Sequence, residues 1–140
     1  MKRIGIAGFG TIGRVVARHI ENSDLPLALA AVSAGDRTRA EAAMAQLARP
    51  VPVVDTAELV ALSDVIVDSA PTAAFRDIAE ATLCAGKTLV TVSGAALMQW
   101  PGAAGFARDH GGRIILATGA LLGLDAVRAA AIGSIHSVTM

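Results

Sequence analysis

The chain has 140 residues, 54% of them apolar and 17% charged, enough core-forming material for one domain and too little charge for a disordered chain. Twelve basic side chains balance twelve acidic ones, so the basic excess of a nucleic-acid or anionic-membrane binder is missing. Aromatic residues are only 3% and the single Cys cannot close an internal disulfide, which points to an aliphatic core and a reducing, cytoplasmic setting.

The predicted elements alternate between strand and helix. Residues 3–7 read as a buried strand, followed by glycines and a helix with Ile12, Val15, Val16 and Ile20 on one stripe. Residues 27–32 form the second strand. Thr38-Arg39-Ala40-Glu41 has the spacing of a capping box for a helix running to about residue 47. Pro50 and Pro52 stop it, and residues 51–54 make a weak third strand. Asp55-Thr56-Ala57-Glu58 repeats the cap before a short helix ending near Ser63, and residues 65–67 form a fourth strand, apolar on both faces.

A helix over residues 72–84 directs Phe75, Ile78, Ala79, Thr82 and Leu83 inward, with Gly86 as its left-handed cap. The same stripe places Cys84 in the core. Residues 88–92 are the fifth strand. After a Ser93-Gly94 turn, residues 98–110 read as a poorer helix interrupted by Pro101, Gly102 and Gly105. Residues 113–117 are the sixth strand, 124–132 a last helix and 135–139 a further strand. The apolar runs are well short of the roughly 18 residues a spanning helix requires. The pattern is that of an α/β fold, a Rossmann-type doubly wound parallel sheet of about six strands.

Gly8-Phe9-Gly10-Thr11-Ile12-Gly13 is a GxGxxG sequence directly after a predicted strand and at the opening of a predicted helix. In that context Gly8 makes the tight turn, Gly10 lets the backbone approach a pyrophosphate, and Gly13 lets helix pack on strand. The free N–H groups of the helix start then face the phosphates. The cofactor is NAD or NADP. Ser33 stands where an NAD enzyme carries its ribose-binding acid, and Ser33 and Arg37 are read as holding the adenosine ribose, with Arg39 just beyond, a pattern open to a 2′-phosphate. Asp36 is the alternative partner for the ribose. The loops after the fourth, fifth and sixth strands present Ala70, Ser93 and Gly119 to the nicotinamide side. His19, His110 and His136 have no ligand spacing, so no metal site is expected, and no catalytic residue is assigned.

The glycine motif, Val67-Asp68-Ser69-Ala70-Pro71, Leu89-Val90-Thr91-Val92-Ser93-Gly94-Ala95 and above all Thr118-Gly119-Ala120-Leu121-Leu122-Gly123-Leu124-Asp125-Ala126 resemble the cofactor half of L-aspartate dehydrogenases over the whole chain. In that family the last segment reads Ser-Gly-Ala-Ile-Gly-Gly-Leu-Asp-Ala. The resemblance implies an oxidoreductase converting L-aspartate and NAD(P)+ to iminosuccinate, in a cytoplasmic homodimer serving pyridine nucleotide biosynthesis. It divides the chain into a dinucleotide-binding domain over residues 1–133 and the start of a substrate and dimerisation domain over 134–140. Family members are longer, with a catalytic histidine in the second domain, so this chain alone is expected to be inactive and to self-associate. The alternatives are a dihydrodipicolinate reductase or Gfo/Idh-type reductase, and a non-catalytic dinucleotide-binding module that docks a partner.

Overall fold

A computed structural model describes residues 1–117, 132–134 and 136–137. The expected helix 124–132 and strand 135–139 fall almost wholly outside the described residues, and Gly119 lies outside them. The described strands are β1 (Lys2–Ala7), β2 (Leu27–Ser33), β3 (Val65–Asp68), β4 (Thr88–Thr91) and β5 (Arg113–Leu116). They form one all-parallel sheet in the order β2-β1-β3-β4-β5. The order reverses between β1 and β3, which opens a crevice above the carboxyl ends of those strands.

One expected strand shrinks to a contact. Residues 51–54 meet the outer edge of β2 in a single parallel bridge, Val32 to Val53. Val32 N–H donates to the Pro52 carbonyl at 3.0 Å, and Val54 N–H donates to the Val32 carbonyl at 2.8 Å. Pro50 and Pro52 lack the N–H groups a longer ladder needs, so among the described residues the sheet has five strands and a bridge.

Helices α1 (Thr11–Glu21) and α2 (Arg37–Met44) pack on one face of the sheet. Their core includes Ile4, Ile6, Ala17, Ile20, Val32 and Met44. On the other face lie α3 (Thr56–Leu62) and α4 (Phe75–Cys84), then two short helices, α5 (Gly94–Met98) and α6 (Ala103–Asp109). Ile66, Leu89, Leu59, Phe75, Ile78 and Leu83 fill that core. Helices on both faces of a parallel sheet are the doubly wound arrangement. Among the described residues no helix covers β3 to β5 on the α1 side, and Val65, Val67 and Val90 remain half-buried there.

Local chemistry moves several boundaries. The cap of α2 is Asp36, whose carboxylate accepts from Arg39 N–H at 3.0 Å, so the helix opens ahead of the expected Thr38 cap. Asp55 does cap α3, accepting from Glu58 N–H at 2.8 Å. A 3-10 turn, Thr72–Ala74, precedes α4, and all five side chains assigned to its inner stripe are buried. Cys84 is exposed, a correction: at about 3.6 residues per turn position 84 lies half a turn away from Phe75, on the face of α4 opposite the buried stripe. Gly86 has φ +67° and closes α4 as expected. The poor helix 98–110 is two helices, broken around Pro101 and Gly102, and the first already begins at Gly94.

Candidate dinucleotide site

The three glycines of the motif have three different surroundings. Gly8 has φ +90°, a turn that side chains disfavour, and its N–H donates to the Ser33 carbonyl at 2.9 Å. A Cβ on Gly13 would collide with the Gly8 carbonyl and crowd Ile6, so this position lets α1 close on β1. A Cβ on Gly10 would meet nothing within 4 Å. The space over Gly10 is therefore open, and no side chain caps the helix start it serves. An uncapped first turn leaves its N–H groups available to an anion.

This helix start faces a cleft of about 550 Å³ lined by Gly8, Phe9, Gly10, Thr11, Arg14 and Ala34, continued by Asp36, Arg39, Ser69, Ala70 and Pro71. A second hollow, which includes Ser33, Val54, Asp55, Thr56 and Ile78, shares Gly8, Ala34, Gly35, Ala70 and Pro71 with it. The two are parts of one trough across the ends of β2, β1 and β3. Its size suits a small-molecule ligand.

The sequence-selected residues divide. Gly8, Phe9, Gly10, Thr11 and Ala70 line the cleft together, and Ser33 lies in the adjoining hollow. Ile12 and Gly13 shape α1 behind them without lining it. Arg37 is elsewhere: its Nε bonds Glu41 at 2.8 Å on the outer side of α2, which holds the guanidinium above its ordinary pKa. Arg39, two residues on, does line the cleft, as does Arg14, whose Nε donates to the Gly10 carbonyl at 3.2 Å.

The wall on the β3 side is welded to the glycine loop. Ser69 N–H donates to the Ala7 carbonyl at 2.8 Å, and its hydroxyl donates to the Gly8 carbonyl at 2.8 Å. Behind it stands a residue that sequence reasoning passed over as part of a loop. Asp68 is fully buried, and its carboxylate accepts from Thr91 Oγ1 at 2.6 Å, Ser93 Oγ at 3.0 Å and Ala70 N–H at 3.1 Å. The signal was present as one acid ending an apolar central strand, beside a strand ending in Thr-Val-Ser. Asp68 and Thr91 are register partners.

Fold and trough define a dinucleotide-binding domain of the dehydrogenase type. The chain belongs to the family described as homoserine dehydrogenase, NAD binding domain, whose model matches residues 8–117. It is 41% identical over 138 residues to an L-aspartate dehydrogenase of Bradyrhizobium diazoefficiens, covering 99% of this chain and 49% of that protein. It is likewise 41% identical to L-aspartate dehydrogenase 3 of Bordetella bronchiseptica, covering 98% of this chain and 51% of that one. The resemblance to aspartate dehydrogenases thus extends over nearly the whole chain, which spans about half the length of these curated relatives.

Solved structures agree on the fold. A scyllo-inositol dehydrogenase of Lactobacillus casei with bound NAD(H) and scyllo-inositol superposes with a TM-score of 0.64 at 19% identity, over 81% of this chain and 36% of that one. A homoserine dehydrogenase of Thiobacillus denitrificans gives 0.64 at 16% identity, over 82% and 29%. No described helix is long and apolar enough to cross a membrane.

Proposed function

We propose that this chain is the NAD(P)-binding part of an L-aspartate dehydrogenase. The observation that carries the reading is the uncapped start of α1, reached through the open space over Gly10 and facing the trough. The residues present fit a dinucleotide. Gly8 to Gly13 and the α1 N–H groups hold the pyrophosphate, and Arg14 adds positive charge beside it. Asp36 and Arg39 border the adenosine ribose, and the hollow beside Ser33 and Ile78 takes the adenine. Ala70, Ser93 and Gly119 are assigned to the nicotinamide side.

When bound, the nicotinamide supplies a hydride acceptor. The chain's residues bind and orient. L-Aspartate loses the hydride from Cα and a proton from its amino nitrogen, a C=N bond forms, and the products are iminosuccinate, NAD(P)H and a proton. The ionisable side chains lining the trough are Arg14, Asp36 and Arg39, with Asp55 and Asp77 in the adjoining hollow, all on the adenosine and pyrophosphate side. The group that takes the amino proton is therefore assigned outside the described residues. The homologues' names support aspartate as the substrate, and the homodimeric, cytoplasmic state belongs to the same reading.

Calorimetric titration of the chain with NAD+ and NADP+ tests the first part. Saturable binding of at least one is expected, and no binding of either overturns the reading. An assay of the 140-residue chain with aspartate and both nucleotides tests the second. No NAD(P)H above background is expected, and aspartate-dependent formation would place the proton acceptor within this chain.

A further inference from the structure

This inference rests on the dinucleotide reading and concerns the half of the cofactor farthest from α2. In the order β2-β1-β3-β4-β5, the adenosine side of the trough lies at the end of β2 and the glycine loop at the end of β1. A dinucleotide that continues across the point of strand reversal lays its other half over the ends of β3 and β4. The side chains that end those strands are the buried Asp68, Thr91 and, just beyond, the half-buried Ser93.

We propose that Asp68 fixes the Ser93 hydroxyl, just past the end of β4, as an acceptor that receives an N–H of the nicotinamide carboxamide. The chain thereby selects amide-bearing dinucleotides over their nicotinic acid counterparts.

The argument is one of hydrogen-bond polarity. A carboxylate has no proton to give, so every partner of Asp68 must donate to it. All three are neutral: the Ala70 N–H reaches Oδ1, while the Thr91 and Ser93 hydroxyls both reach Oδ2. Each hydroxyl has one proton, and both are now spent. Thr91 is fully buried, and its oxygen accepts from Ser93 N–H at 2.9 Å, which fixes the backbone of residue 93 as well. Ser93 is the half-buried one of the two hydroxyl residues, and only lone pairs are left on its oxygen. A carboxamide NH2 satisfies those lone pairs. The carboxylate of the acid form brings more acceptors and a negative charge, with the Asp68 carboxylate directly behind the serine.

Asp68 acts here through Ser93 and is a positioning residue. Its test compares three ligands, NAD+, nicotinic acid adenine dinucleotide and ADP-ribose, on the wild-type chain, Asp68→Asn and Ser93→Ala. The wild type is expected to bind NAD+ about tenfold or more tighter than the acid form, on the scale of a lost charge-assisted pairing. In Asp68→Asn the new amide donates to Ser93, the hydroxyl turns its proton outward, and the ratio falls toward unity. Ser93→Ala lowers the ratio by removing the acceptor, and it carries the test alone should Asp68→Asn fail to fold. ADP-ribose, which has no nicotinamide, is expected to bind all folded proteins alike, a result that a general loosening of the site would not give. Equal wild-type affinity for the amide and acid forms, or a ratio unchanged in both variants, overturns the proposal while ADP-ribose binding leaves the dinucleotide reading standing. Failure of the wild type to bind ADP-ribose, NAD+ and NADP+ alike overturns both.

Discussion

The two edges of the sheet are built from different chemistry. At the amino edge, charged side chains are neutralised against their neighbours. Arg3 and Asp64 pair at 2.8 Å, the Arg3 backbone N–H also donates to the Asp64 carboxylate, and the Asp64 N–H donates to the Arg3 carbonyl, tying the starts of β1 and β3. Lys87, just before β4, donates its ammonium to the Val60 and Ser63 carbonyls at the end of α3, the pole of a helix that favours a cation. At the carboxyl edge, the supports are backbone amides, hydroxyls and one buried carboxylate with neutral partners. The guanidinium of Arg39 has no hydrogen-bond partner there among the described residues. One edge commits its polar groups to holding the fold, and the other leaves the α1 start uncapped and the space over Gly10 open. Substitutions at the two edges should therefore separate stability from binding.

The widest separation is expected between two glycines of the same strand-loop unit. Gly10→Val fills the space over the glycine loop and should weaken dinucleotide binding at least about a hundredfold, because the phosphate and the side chain want the same volume. Its effect on melting should be small, as nothing lies within 4 Å of the added Cβ. Gly5→Ala does the opposite. Its Cβ intrudes on Ser63 Oγ and stands 2.9 Å from Ile66 Cδ1 and 3.0 Å from Leu59 Cδ1, so overpacking should cost about 1–3 kcal/mol. The folded fraction should bind as the wild type does. Calorimetry beside denaturant titration reads both quantities, and a Gly10→Val chain as destabilised as Gly5→Ala would break the comparison.

A second pair sharpens it within a single helix. Arg39→Ala is expected to weaken NADP+ by about 1.5–3 kcal/mol, the scale of hydrogen bonds to a charged phosphate, with NAD+ nearly unchanged. Arg37→Ala should leave both affinities alone and change melting little, since its partner is an exposed i,i+4 glutamate. NADP+ affinity that falls with Arg37→Ala and not with Arg39→Ala would reverse the assignment. Equal loss of NAD+ and NADP+ in Arg39→Ala would make that arginine a support of α2.

These two arginines also mark where the sequence stops being readable. Strand and helix order, the inward stripe of α4, the tight turn at Gly8 and the close packing at Gly13 follow from periodicity and sterics that act within a few residues, and each was legible in the chain. Which of Arg37 and Arg39 faces the trough was not. That depends on where α2 begins, and Asp36 captures the cap two residues ahead of Thr38, which turns the helix and gives Arg37 to Glu41. The strand at Val53 shrank to a bridge because two prolines starve its ladder, and Cys84 was misplaced because the inner stripe was extended one residue past Leu83, where the helical period already turns outward. Asp68 was hidden because its partners lie 23 and 25 residues away, and only the β3–β4 register brings them together.

The smallest expected effect comes from acid at the amino edge. The Arg3 side chain and backbone N–H hold the Asp64 carboxyl down to about 2 from an ordinary 3.8. The folded chain thus resists protonating Asp64 more than the unfolded chain does, so the pair contributes its stability in full above about 3.8. That contribution declines as the pH falls from there and is lost below about 2. In Asp64→Asn it is absent throughout. The difference in melting temperature between wild type and variant should be constant from pH 7 to about pH 5 and shrink toward zero as pH 2 is approached. It should be modest even at neutral pH, because both side chains are partly exposed, and added salt should reduce it further. ADP-ribose affinity at neutral pH should be the same for both proteins, since the pair lies at the opposite ends of the strands from the trough. A melting difference that persists undiminished toward pH 2 would mean that Asp64 supports the edge through shape alone. A change in affinity would mean that the two edges are coupled.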